Sequence, residues 1–286
     1  MQLKLAPWAL LAVSAMWGIS FVWMKDILDQ QDVYSFLVSR FLVAAAAMIA
    51  IRPKVLKQLN RDLIVKGMFV GSALGAGYIF QTLGLDRTTP AITGFITGLY
   101  VVITPLLAFI FLKEKLTPVI WGYVLLAVLG LAVLSIEGWS IGTGELLVLA
   151  SAVFFALHII LLGSWSKNFD AYALTVVQLT SCAVVAAIPA SFNGYQSPPD
   201  LQVWLVVLFT AIFATAFAFV IQTWSQARIS TTKVAVILTM EVVFAALFSF
   251  MYGMEPFTLR LAAGGTMVLI AMLAIVQPRV SNNSNN

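Results

Sequence analysis

Residues Leu201–Trp224 read LQVWLVVLFTAIFATAFAFVIQTW, a run that contains no Asp, Glu, Lys or Arg. A helix crosses about 30 Å of hydrocarbon with about 20 residues, so this run is long enough to span a membrane. Its apolar residues are continuous rather than alternating, which favours a helix over a barrel strand. We therefore predict a transmembrane helix here.

Nine further runs have the same character and are bounded by charged residues, Pro or Asn/Gly clusters, which makes ten predicted spans. With Leu201–Trp224 as the eighth, the others are Leu5–Met24, Val33–Ile51, Ile64–Leu85, Ala91–Leu112, Val119–Ile136, Gly144–Leu162, Ala171–Ser191, Val234–Tyr252 and Phe257–Val276. The connections are too short to hold a soluble catalytic domain. We expect the first run to be a span and not a signal peptide, because nine more follow it.

The composition excludes several classes of protein. Of the 286 residues, 61% are hydrophobic and 10% are charged, and the mean hydropathy is +0.99. A soluble domain carries about 45–50% apolar and about 25% charged residues, so a soluble enzyme is excluded. One His and one Cys cannot form a disulfide framework or a structural zinc site, and we expect no metal and no cofactor. The net charge of +4 is explained by topology, so we expect no nucleic-acid partner.

The positions of the basic residues predict the orientation. Of the 16 Lys and Arg residues, Arg40 lies inside a span, and the other fifteen divide twelve against three if the N-terminus is cytoplasmic. The inner set is Lys4, Arg52, Lys54, Lys57, Arg61, Lys66, Lys113, Lys115, Lys167, Arg228, Lys233 and Arg279, and the outer set is Lys25, Arg87 and Arg260. The positive-inside rule therefore predicts both termini in the cytoplasm and an even number of crossings.

The chain also matches itself at intervals of 138 to 141 residues. The matches that carry weight are polar, because polar residues are scarce here: Asp32 with Asp170, Gln81-Thr82 with Gln222-Thr223, Arg87 with Arg228, Glu114 with Glu255 and Thr117 with Thr258. Each half then holds five helices, and since five is odd the second half enters the membrane from the opposite side. We predict an all-α membrane protein of ten transmembrane helices in two inverted five-helix repeats, residues 1–138 and 139–278, followed by a disordered tail, 279–286.

Several stretches resemble one known family. They are Ala15-Met16-Trp17-Gly18, Arg40, the run Lys113-Glu114-Lys115-Leu116-Thr117, and its echo Gly253-Met254-Glu255-Pro256-Phe257-Thr258. Together with the ten spans they are similar to the EamA-type carriers of the drug/metabolite transporter superfamily. The resemblance covers Leu5 to Val276 and implies an inner-membrane carrier, often an exporter of amino acids or other small metabolites, with a cavity between the first, third, fourth, sixth, eighth and ninth helices. One difference is Val242, where family members often have Pro.

Three ionisable residues lie inside predicted spans, where each costs about 2.5–3.5 kcal/mol to insert, so each is a candidate for function. Glu241 lies near the middle of the ninth span. It is either a proton- or cation-binding carboxylate, since burial disfavours the ionised form, or a structural group satisfied by a neighbour or by water. We favour the first interpretation and predict that Glu241 couples transport to protons, with facilitated diffusion driven by the substrate gradient as the alternative.

Arg40 and His158 each allow two interpretations. Arg40 could hold a substrate carboxylate bidentately, or it could lock helices together. We favour the structural role, because the resemblance places this Arg among packing residues and buried charge is commonly paired. His158, among Phe154, Phe155 and Ile159, could relay a proton or contact substrate, or it could be a packing residue.

Aromatic and polar residues of the converging spans form a second group of candidates. Neighbours three residues apart share one helix face, and a face with one aromatic or hydroxyl side chain and one polar group suits a mostly apolar cavity. With Glu241 and His158, the predicted substrate-binding residues are Trp17, Ser20, Tyr78, Gln81, Thr97, Tyr100, Phe154, Phe219 and Gln222. The alternative is that these side chains join helices to one another.

Other functions fit the sequence less well. The spans contain no HExxH motif and no carboxylate cluster, so we expect no enzyme. No filter loop or ring of charge indicates a channel. We predict a multi-pass plasma (inner) membrane exporter of amino acids or similar amphipathic solutes, with the small-molecule substrate and the lipid bilayer as partners. Multidrug or lipophilic-cation efflux is the alternative, and the oligomeric state is left open, with a monomer allowed.

Overall fold

The computed structural model describes residues 2–112, 118–137, 140–228, 234, 237–238, 240–254 and 256–276. The helices are α1 (Gln2–Ile27), α2 (Val33–Ile51), α3 (Arg61–Leu85), α4 (Pro90–Gly98), α5 (Tyr100–Leu112), α6 (Pro118–Ser135), α7 (Thr143–Trp165), α8 (Ala171–Asn193), α9 (Leu201–Ala211), α10 (Ala218–Gln226), α11 (Met240–Met251) and α12 (Leu259–Val276). Short 3-10 turns occupy Pro53–Gln58 and Ser166–Asn168, and the two-residue strands β1 (Ile136–Glu137) and β2 (Ser140–Ile141) pair antiparallel. The run 113–117 and residues Lys233, Glu255 and 277–286, on which several predictions depend, lie outside the described residues.

The described helices include six that are long and apolar enough to cross a membrane. They are Ala6–Ile27, Val33–Ile51, Arg61–Leu85, Thr143–Asn168, Ala171–Asn193 and Leu201–Gln226, and they coincide with six of the predicted spans. Shorter apolar helices, Pro90–Thr104, Trp121–Gly130, Met240–Met251 and Leu259–Ala271, coincide with the fourth, fifth, ninth and tenth predicted spans. The chain is therefore an all-α, multi-pass membrane protein.

Short polar side chains fix the starts of several helices. Asp32, Asn60, Asp170 and Asp200 precede α2, α3, α8 and α9, and each accepts a hydrogen bond from the backbone N–H three residues later at 2.9–3.0 Å. Each such cap stabilises its helix by about 1 kcal/mol. The apolar runs are thus anchored where they begin.

Glycines allow the helices around the centre of the protein to approach closely. A Cβ atom at Gly18 of α1 would lie 2.6 Å from the Cβ of Phe244, and one at Gly94 of α4 would lie 2.7 Å from the Cβ of Ala245. Both Phe244 and Ala245 belong to α11, so only glycine fits at these two crossings. The close approach brings α11, which carries Glu241, against α1 and α4. Elsewhere α3 packs on α7 and α8, and α6 packs on α12.

The eighth predicted span is interrupted by a π turn. Residues Ile212–Phe217 form a wide turn between α9 and α10, within a helix that runs from Leu201 to Gln226. π turns are rare in helices overall, but those that occur often lie at functional sites. The sequence of this turn, IFATAF, contains no Gly or Pro that would indicate an interruption of the helix.

Candidate functional site

One cavity lies among α1, α2, α3, α4, α5, α7, α10 and α11. It encloses about 520 Å³ of space free of protein atoms, open solvent included. Its lining is formed by Trp17, Ser20, Phe21, Met24, Arg40, Leu74, Tyr78, Gln81, Thr97, Tyr100, Phe155, His158, Ile159, Phe219, Gln222, Leu238 and Glu241. A mostly apolar and aromatic wall with a few polar groups is typical of a small-molecule site.

Most of the predicted substrate-binding residues meet at this cavity. Ten of the eleven line it: Trp17, Ser20, Tyr78, Gln81, Thr97, Tyr100, His158, Phe219, Gln222 and Glu241. Phe154 does not. Its ring stacks on Phe80, with centroids 5.5 Å apart and planes 7° apart, and the neighbouring Phe155 lines the cavity instead. Adjacent residues of a helix point about 100° apart, and of these two only Phe155 belongs to the lining.

Many of the residues that line the cavity are separated by the intervals at which the sequence repeats. Residues at an interval of 138 form the pairs Trp17/Phe155, Ser20/His158 and Phe21/Ile159, and residues at an interval of 141 form the pairs Tyr78/Phe219, Gln81/Gln222, Thr97/Leu238 and Tyr100/Glu241. Phe155, which the sequence analysis missed, is the counterpart of Trp17. Applying the interval of 138 residues to Trp17 would have predicted Phe155 rather than Phe154.

Glu241 is buried in the cavity wall, with 6% of its surface exposed. Among the residues that the structure describes, no hydrogen bond or ion pair to its carboxyl group is found. The hydroxyl of Tyr100, which also lines the cavity, is buried without a hydrogen-bond partner in the same part of the chain. Neither group therefore has a partner among these residues that a ligand or water would have to displace.

Arg40 lines the cavity and also bonds to a neighbouring helix. Its Nε donates to Oγ1 of Thr215 at 2.7 Å, and its Cζ lies 4.6 Å from the centre of the Tyr78 ring, within the range of a cation–π interaction. These contacts fit the structural role that we predicted, and the position in the lining fits the alternative of a substrate contact. The geometry is compatible with both at once.

Amide side chains complete the polar part of the site. Nε2 of His158 donates to Oε1 of Gln178 at 3.0 Å, which in a neutral ring leaves Nδ1 as an acceptor. Gln81 donates to Oγ1 of Thr97 at 3.1 Å. Gln222 donates to Gln226 at 3.2 Å, while its own Oε1 is buried without a partner among the described residues. An orphaned buried acceptor is costly, so it is a natural position for a ligand donor.

Long apolar helices that surround a cavity lined by aromatic and polar side chains define a class, the multi-pass membrane proteins with a candidate site between their helices. Comparison with known proteins identifies the family. The profile of the EamA-like transporter family matches residues 4–136 and again residues 142–277. The chain belongs to this family, within the drug/metabolite transporter superfamily.

Individual relatives are consistent with this family assignment. An uncharacterized transporter of Archaeoglobus fulgidus is 32% identical over 271 residues, which cover 94% of this chain and 85% of the relative. A probable terminal-alkyne amino-acid exporter of Streptantibioticus cattleyicolor is 24% identical, over 96% of this chain and 94% of that protein. One crystal structure covers 96% of both chains with a TM-score of 0.64 at 18% identity, a likeness that concerns the fold alone.

Proposed function

We propose that the protein is a secondary transporter that exports amino acids or similar small amphipathic solutes. On this proposal ten transmembrane helices form two inverted five-helix repeats, residues 1–138 and 139–278, which rock around the central cavity and expose it to each side in turn. The observation that carries the proposal is the set of seven residue pairs, at intervals of 138 or 141, that line a single cavity. Membership of the EamA-like transporter family also supports a transport function.

The chemistry of the cavity supports a zwitterionic substrate. Arg40 and Glu241 lie in the same lining, so a carboxylate and an ammonium group could each find an opposite charge there. The aromatic residues Trp17, Tyr78 and Phe219 would enclose an apolar side chain. The relative named as a probable terminal-alkyne amino-acid exporter adds weight to this class of substrate.

Lipophilic-cation efflux is the second candidate, because Glu241 and the faces of these rings would also receive an organic cation. A channel is the candidate of another class, and it has no support from a filter loop or a ring of charge.

Proton coupling is part of the proposal. Glu241 is a buried carboxyl group in the cavity, and it would take up a proton on one side of the membrane and release it on the other. Facilitated diffusion down the substrate gradient is the alternative.

The proposed location is the plasma (inner) membrane. Both termini are then cytoplasmic, the partners are the substrate and the lipid bilayer, and the oligomeric state is left open, with a monomer allowed.

The test is uptake into proteoliposomes that contain the purified protein. A labelled panel of amino acids, organic acids and lipophilic cations is presented with and without a pH gradient, and protein-free liposomes serve as the control. Saturable flux of amino acids supports the proposal. Flux of cations alone would replace it with the efflux alternative, and non-saturating flux of ions would indicate a channel. No flux of any compound would refute transport of these classes.

A further inference from the structure

The guanidinium group of Arg40 has more hydrogen-bond donors than the protein uses. Only 1% of this side chain is exposed, and the group carries five N–H donors. Its Nε donates to Thr215 at 2.7 Å. Among the described residues, Nη1 donates only to the thioether sulfur of Met24 at 3.5 Å, a weak acceptor, and Nη2 has only contacts of 3.5 Å to the oxygens of Tyr78 and Ala214, beyond the usual length of an N–H···O bond. No carboxylate pairs with Arg40 in the part of the chain that the structure describes. A buried cation without an anion among these residues is costly, so an anionic ligand would stabilise it.

The weakly bonded Nη1 and Nη2 lie on the cavity side of the group, although Nη2 also contacts the carbonyl oxygen of Ala214 at 3.5 Å. Nη1 is beside Sδ of Met24 and Nη2 is beside the hydroxyl of Tyr78, and both of these residues line the cavity. The well-bonded Nε is on the other side, against Thr215, which is not part of the lining. The planar guanidinium is therefore held firmly at Nε, while Nη1 and Nη2 have only weak or long contacts that a ligand in the cavity would replace.

The Nε of Arg40 is hydrogen-bonded to the π turn of the Leu201–Gln226 helix. Thr215 lies in this turn, and the carbonyl oxygen of Ala214 accepts from the indole Nε1 of Trp17 at 2.7 Å and from Nη2 of Arg40 at 3.5 Å. A wide turn departs from the regular ladder of helical hydrogen bonds, and so allows backbone oxygens to bond outside the helix. Thr215 and Ala214 thus hold two residues of the cavity wall, Arg40 and Trp17.

We propose that Thr215 is a positioning residue, and that it holds Arg40 so that the two terminal nitrogens bind a carboxylate of the ligand. Arg40 then determines selectivity for ligands that carry a carboxylate over those that carry a neutral group at the same place. A carboxylate suits Nη1 and Nη2 because it accepts two parallel hydrogen bonds from the guanidinium fork. This inference rests on the proposed function, since it assigns a recognition role within the transport site.

The experiment compares the uptake of two acids with that of their amides. L-leucine and L-phenylalanine are measured against leucinamide and phenylalaninamide in proteoliposomes, for the wild type and for Arg40→Gln, Thr215→Val and Thr215→Ser. In the wild type we expect KM for the acid to be lower than KM for the amide by about tenfold or more, as for a charge-assisted bidentate contact. Arg40→Gln should bring this ratio to within about twofold of unity, chiefly by raising KM for the acid.

Thr215→Val keeps the shape of the side chain and removes the acceptor, so the ratio should fall to about threefold. Thr215→Ser keeps the hydroxyl group and should retain the wild-type ratio, which makes it the matched control. A merely structural role for Thr215 would raise KM for acid and amide alike and leave their ratio unchanged. If Arg40→Gln does not fold, the two Thr215 variants decide the question.

The inference is overturned if the wild type does not prefer acid to amide, or if Thr215→Val and Thr215→Ser give the same ratio. The outcomes also separate it from the proposed function. Equal and saturable flux of acid and amide would end this inference and leave transport intact, whereas no flux of any compound would end the proposed function.

Discussion

Replacing Glu241 by Gln should abolish accumulation driven by a pH gradient, and should raise KM because the amide offers no opposite charge to the ammonium group of the substrate. Glu241 is the one buried carboxyl group among the residues that the structure describes, so the proposal predicts one proton per cycle. A gradient of one pH unit stores about 1.36 kcal/mol per proton, which supports at most about tenfold accumulation of substrate. The amide has a similar shape but cannot carry the proton, so the ratio should fall to about one.

The assay uses vesicles that are one pH unit more acidic inside, with the membrane potential clamped at zero. A proton-coupled exporter lets protons out and substrate in under this gradient, so substrate accumulates inside. Exchange of labelled for unlabelled substrate without a gradient should persist in Glu241→Gln when the substrate is supplied at saturating concentration. Glu145→Gln is the matched control, because Glu145 accepts a bond from Thr88 outside the cavity and should leave the tenfold ratio unchanged.

Other titratable or charged groups face the same cavity and must be considered. They are Arg40 of α2, Tyr78 of α3, Tyr100 of α5 and His158 of α7. Of these, only His158 ordinarily changes charge near neutral pH. If Glu241→Gln retains the gradient response and His158→Gln loses it, the reasoning about Glu241 is refuted and the proton site is His158. If both variants retain it, transport is facilitated diffusion.

Two further predictions concern packing and the shape of the site. Gly18→Ala should lower the free energy of unfolding by about 1–3 kcal/mol, because the new Cβ would lie 2.6 Å from the Cβ of Phe244; thermal unfolding in detergent measures this. Gly122→Ala, with nothing within 4 Å, is the control, and an equal loss there would contradict the packing argument. Phe155→Ala should change KM for the transported amino acid several-fold, because Phe155 lines the cavity, whereas Phe154→Ala should not. The opposite result would show that the cavity is assigned to the wrong face of α7.

The membrane helices were predictable because their signal is local. A run such as Leu201–Trp224 needs only length and the absence of charge to be recognised. The choice between Phe154 and Phe155 was not predictable from one helix, because α7 is apolar on every side and its pattern does not reveal which face turns inward. The contact of Arg40 with Thr215 joins residues 175 apart in the chain and depends on a π turn without a sequence signal. Such contacts require the packed structure.

The residue pairs also indicate where a preferred direction of transport would arise. If the two halves are inverted repeats, as proposed, the inward-open and outward-open states differ by an exchange of roles between the halves. Identical halves would make these two states equal in energy, and a ligand at the centre would not favour either one. The differences between the halves must therefore set the preference for one state over the other. At the cavity, the unlike pairs that include an ionisable or strongly polar group are Ser20/His158, Tyr100/Glu241 and Arg40/Gln178. Substitutions at these positions should shift the balance between the two states more than substitutions at the alike pair Gln81/Gln222, because only the unlike pairs interact differently with the ligand in the two states.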